Sequence, residues 1–182
     1  MPDAPELFRA AVAALQRART RSEITLEPIR PPKRLAPWSY AIGCELTGPA
    51  DVTASGRLIL LHDPEGQQGW GGVLRLVLYV SAELDPDLAN DPLLASVGWS
   101  WLTDALDDAA AGATALGGTV TATSSTRFGD IPGPTRTDDL ELRASWTPDG
   151  TELTAHADAF ARVMSSVVGL PPVGVTDLGE HQ

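Results

Sequence analysis

The chain has 182 residues, 43% hydrophobic and 20% charged, the proportions of one ordinary globular domain that can bury roughly 70% of its unfolded surface. Its net charge of −11 speaks against general nucleic-acid binding. Its single cysteine rules out an intrachain disulfide and suits a reducing cytoplasm, and its apolar runs fall short of the ~20 residues of a membrane-spanning helix.

The opening MPDAPELFRAAV lacks the basic, apolar and cleavage regions of a signal peptide. Asp3, Pro5 and Glu6 predict a capped helix ending near Thr20, with Leu7, Phe8, Ala11, Leu15 and Ala18 on one face. Residues 1–34 carry a charge balance of +3 and the remainder −14. That contrast reads as an attraction within the molecule, with an acidic partner as the alternative. Ser22–Ile29 is a short strand candidate. Pro28 to Pro37, with four prolines, is a stiff basic connector; a polyproline ligand or basic arm is its functional alternative.

Trp38–Thr47 alternates cleanly, with Trp38, Tyr40, Ile42, Cys44 and Leu46 on one face. A turn at Gly48–Asp51, a strand over Ser55–His62, a glycine-rich loop over Asp63–Gly72 and a strand over Val73–Val80 complete an antiparallel meander. Asp91 and Pro92 open a long amphipathic helix predicted over Leu93–Leu116, followed by a Gly117–Gly118 turn. A Thr/Ser-rich strand over Thr119–Phe128, a loop over Gly129–Thr137 and a strand over Asp139–Thr147 follow. Pro148–Gly150 turns into a last helix with the stripe Leu153, Ala157, Phe160, Met164 and Val167, which Gly169 stops. The reading is α+β in the order α-β-β-β-α-β-β-α, with an antiparallel sheet of five or six strands. Residues 1–172 form one domain and 173–182 a loose tail.

Candidate chemistry is sparse. Gly66–Gly72 lacks the Lys-Ser/Thr ending and the helix of a phosphate cradle, so it reads as a hairpin loop. His62, Asp63 and Glu65 have no second ligand cluster and read as loop surface. Cys44 reads as an inert buried thiol, and His156 as a half-buried packing residue rather than a general base. His181 lies in the tail. Serines 124 and 125 and their threonine neighbours read as strand formers. Asp104, Asp107 and Asp108, and likewise Asp130, Asp138 and Asp139, read as solvated acids rather than paired catalytic carboxylates. No catalytic residue, cofactor-binding residue or metal ligand is assigned.

The informative anomaly is in the meander, where both faces of the second and third strands are apolar. A sheet covered on one side ordinarily reads polar on the other. Arg57, Ile59, Leu61, Arg75, Val77 and Tyr79 therefore form a candidate protein interface, for a symmetric homodimer or another chain. Cover by the first helix and the basic connector is the structural alternative.

GWSWLTDAL, GGTVTATSSTRFGD, GRLILLHDPEGQQGWGG and ELRASWTP resemble the signatures of domain-of-unknown-function family 3000. The resemblance implies a cytoplasmic protein of a GC-rich actinobacterium and carries no activity. The element order is similar to that of type III secretion chaperones and their non-secretory relatives, which implies polypeptide binding. The expectation is a non-catalytic protein-binding or chaperone-like module without cofactor, membrane or nucleic acid. A small enzyme or ligand-binding protein, with a pocket between the long helix and the sheet near Trp99 and Trp101, is the alternative. DNA binding through the basic N-terminal part ranks third, since no helix-turn-helix pattern supports it.

Overall fold

A computed structural model describes residues 3–174; the expected tail, apart from Val173 and Gly174, and His181 with it, lies outside them. Six strands form one antiparallel sheet: β1 (Glu27–Ile29), β2 (Trp38–Thr47), β3 (Thr53–His62), β4 (Leu74–Glu83), β5 (Ala113–Thr126) and β6 (Arg136–Pro148). Their order across the sheet is β1-β2-β3-β4-β6-β5. Helices α1 (Glu6–Gln16), α3 (Leu94–Asp108) and α4 (Thr154–Val167) cover one face, and the short α2 (Pro86–Ala89) sits in the crossing before α3.

The covered face follows the period-two pattern. Ile42, Leu58, Leu60, Leu76, Leu78, Val80, Leu142 and Trp146 all point to the helices and are buried. α4 buries its expected stripe, Leu153, Ala157, Phe160, Met164 and Val167, against the middle of the sheet. Each such large side chain removed from water contributes about 1.5–3 kcal/mol. Gly56 of β3 makes the close approach feasible: a Cβ there would lie 2.8 Å from Cε2 of Phe160. α1 closes the end of the layer, where Phe8 stacks on His62 at 6.1 Å between ring centroids.

Several elements differ from expectation: β1 is only Glu27–Ile29, the crossing before the long helix holds α2, and the long helix begins at Leu94 with Leu93, not Asp91, at its N-cap and no side-chain cap there. α1 ends at Gln16 and starts at Glu6 with no side-chain cap, so the anticipated capping box is not made. The long helix stops at Asp108 rather than Leu116. Ala110 turns left-handed at φ 51°, and the Ala111 and Ala110 N–H groups donate to the Leu106 and Asp107 carbonyls. This is the helix-ending geometry usually supplied by glycine. The chain then enters β5 six residues before the expected start, and Gly117–Gly118 lies inside the strand instead of forming a turn. Gly118 is needed there for another reason, since a Cβ would be driven into the Arg143 carbonyl and to 2.8 Å from the Trp99 ring. A register shift between Thr114 and Gly117, with Ala115 at φ 50°, absorbs the entry.

Candidate functional site

The face of the sheet away from the helices carries the candidate interface. Strand register sets Arg57 opposite Tyr79, and Tyr79 opposite Arg143. The half-buried Tyr79 ring lies under two guanidinium groups, Arg57 at 4.9 Å and Arg143 at 5.4 Å from its centroid. Its hydroxyl donates to Glu141 Oε2 at 2.9 Å, and Arg143 Nε meets Glu141 Oε1 at 2.6 Å. Val77, also half-buried, adjoins this group.

The other expected members are occupied by the chain itself. Ile59 and Leu61 are 6% and 4% exposed, packed with Ala41, Ala36 and Trp70. Trp70 comes from the glycine-rich loop, where Gly66, Gly69 and Gly71 all take positive φ. Those left-handed residues fold the loop back over the sheet. Gln67 anchors it by donating to the Leu35 carbonyl at 3.0 Å, and Thr147 Oγ1 donates to the Trp70 carbonyl. Arg75 donates to Thr147 Oγ1, Ser145 Oγ and the Ala115 carbonyl at 2.8–3.1 Å. It clamps the irregular start of β5, and burial pulls its pKa down.

The reactive residue types are engaged in the core. Cys44 is buried and burial raises its thiol pKa, the opposite of an activated nucleophile. His62 is not loop surface: it ends β3, is buried, and its Nδ1–H donates to the Val73 carbonyl at 2.9 Å. His156 is fully rather than half buried, 3% exposed. Its Nδ1 accepts the Trp146 indole N–H at 3.1 Å. Burial lowers its pKa to about 4 against the opposing pull of Asp149. Asp138, expected as a solvated acid, is 3% exposed. It accepts from Ser124 Oγ and, at 2.9 Å, from Arg136 Nη2; those donors hold its pKa below the usual carboxylate value. Among the described residues no group of three or more His, Cys, Asp and Glu side chains is placed to hold a metal.

The pocket expected between helix and sheet is filled, because Trp99 packs directly on Gly118. A cleft of about 640 Å³ lies instead on the outer side of the helix layer. Trp101 lines it, with Asp104, Asp108 and Asp158 among its acids and Arg19, Arg21 and Arg162 among its bases. Arg21 is already engaged by Glu23 and the Pro171 carbonyl, each at 2.8 Å. Burial raises the pKa of Asp158, and Arg162 partly offsets this.

The family model described as "Protein of unknown function (DUF3000)" matches residues 4–176. The chain belongs to this family. No curated protein and no solved structure matches it. Within this DUF3000 chain, the residues missed by sequence reading are Arg143 and Glu141, the partners of Tyr79, and Trp70, the cover over Ile59 and Leu61. Arg143 and Glu141 carried no local signal, because only the pairing of β4 with β6 brings them beside Tyr79. Trp70 carried one: a large indole in a loop of glycines tends to find apolar surface to cover.

Proposed function

We propose that this protein is a non-catalytic, chaperone-like polypeptide-binding module of the actinobacterial cytoplasm, and that it docks its partner on the open sheet face around Tyr79. The observation that supports this reading is the Arg57–Tyr79–Arg143 stack beside Val77 on the face without helices. Tyr and Arg held rigidly beside a small apolar patch are the residue types that dominate binding energy at protein interfaces. The trapped states of Cys44, His62 and His156 agree with a binding role, since none of the three is poised as a nucleophile or base.

The test is capture from the native host by the full chain, compared with the double variant Arg57→Glu/Tyr79→Ala. A specific polypeptide held by the native chain should be lost from the variant while its unfolding free energy, read by urea titration, stays within about 1 kcal/mol of the native value. Equal capture by both would remove the assignment of this face. Leu61 is unsuitable for such a test, because a charge at so buried a site would report on folding.

The second reading is a small-ligand protein using the outer cleft, favoured by the opposed acids and bases beside Trp101. A small molecule retained by the native chain and released on Trp101→Ala would favour it.

A further inference from the structure

The sheet has two edges of very different kind. β1 is three residues long and contains Pro28, which has no N–H to offer. β5 is fourteen residues long, lies at the other edge, and is exposed or half-buried throughout. Long edges are ordinarily guarded by lysine, proline, bulges or inward-pointing charge, because their unpaired N–H and C=O groups template another strand. β5 has no charged residue and no proline in Ala113–Thr126. Its one irregularity is confined to Thr114–Gly117, so Gly117–Thr126 pairs with β6 in unbroken register. Just beyond its end, Phe128 and Ile131 stand 79% and 61% exposed.

We propose that two copies of this chain join edge to edge through β5, antiparallel about a two-fold axis near Val120, so that the two six-stranded sheets become one. Charge admits a second copy only where the surface is neutral. Each copy carries −11, so approach is least opposed along a strip without charge, and β5 is such a strip. Side-chain size agrees. The Thr, Ser, Gly and Ala side chains of β5 are too short to wall the pockets by which an edge selects a foreign peptide. A two-fold axis instead satisfies both free edges at once with the same residues. With the axis at Val120, Gly117–Thr123 of the two copies pair in regular register, and Phe128 is carried past the Thr114–Gly117 irregularity towards Gly112 of the second copy. That brings an exposed ring beside the short apolar turn Ala109–Gly112 that follows α3. The edge borders the Tyr79 cluster, since Thr119 and Thr121 lie opposite Arg143 and Glu141 in the β5–β6 register, but edge pairing uses the free backbone groups of β5, so the inference stands whether or not the Tyr79 face binds a polypeptide.

The experiment is light scattering of the full chain across a concentration series, with two charged variants of the paired strand. Native protein should reach twice the 19.1 kDa of one chain. Thr119→Lys/Thr121→Lys and Thr119→Glu/Thr121→Glu should each remain at the mass of one chain with an unchanged circular-dichroism spectrum, because like charges then face each other across the axis. Mixing the two variants should restore the double mass, a rescue that damage to the fold would not allow. Arg57→Glu/Tyr79→Ala should leave the double mass intact. A native protein that stays at the mass of one chain would overturn the proposal. So would a dimer indifferent to both charged variants, or a mixture that fails to reassociate.

Discussion

His156 shows how one side chain couples the core to pH. The imidazole is neutral in the folded protein because burial disfavours its charged form, and the Trp146 indole N–H requires an unprotonated Nδ1 as acceptor. In the unfolded chain the same group has a pKa near 6.5. A histidine whose folded pKa is lowered contributes its full stability above 6.5. That contribution is lost as pH falls from 6.5 towards about 4, because the unfolded state takes up the proton first. The loss over this window is roughly 3 kcal/mol at most. Urea titrations at pH 7, 5.5 and 4.5 should therefore show a falling midpoint. His156→Gln should lower stability at pH 7 and flatten the histidine part of that slope. An identical slope in native protein and variant would show that carboxylates alone govern acid unfolding. Asp138 works in the same sense over a lower window: Ser124 and Arg136 lower its pKa, so its contribution is present above the ordinary aspartate range and fades as pH drops below it.

At the scale of elements, the turn after α3 is the most instructive feature. Ala110 occupies a left-handed conformation that costs a non-glycine residue roughly 1–2 kcal/mol. Glycine would remove that cost but would add freedom to the unfolded chain, which returns part of the gain. Ala110→Gly should therefore stabilise the protein by roughly 0.5–1 kcal/mol, read as a higher urea midpoint at unchanged slope. A lower midpoint would mean that the alanine methyl makes a compensating contact. The same turn explains why the helix end was illegible. Ala109, Ala110 and Ala111 extend the apolar helical pattern, and the residue that breaks it is not the glycine that ordinarily marks a helix end. Strict alternation made β2 legible, and its ends, Trp38 and Thr47, fall where the pattern places them.

Over the whole molecule, the division between a covered and an open face organises everything else. Three helices seal one side, and the Asp63–Gly72 loop adds only a local cover over Ile59 and Leu61 on the other. The apolar reading of both faces was thus sound for the strands and incomplete for the loop. Charge acts at this scale as well. Copies carrying −11 each repel at low ionic strength, where screening extends to about 30 Å at 0.01 M against about 8 Å at 0.15 M. Sedimentation equilibrium should accordingly find β5-paired dimers several-fold tighter at 0.15 M than at 0.01 M salt. Weakening with added salt would indicate instead that ion pairs hold the copies together.

Periodicity and turn chemistry by themselves determined the α+β class, most of the strands, the buried stripe of α4 and the burial of Cys44. These are local properties, set by side-chain spacing along a few turns or a few strand residues. Only the tertiary structure decided that β6 rather than β5 lies beside β4, that Arg143 and Glu141 complete the Tyr79 cluster, that Trp70 folds over Ile59, and that Asp138 is buried beneath an ion pair with the exposed Arg136. Each of these joins residues far apart in the chain or across a strand pair, and the free energy that selects them comes from packing and pairing that no local pattern encodes.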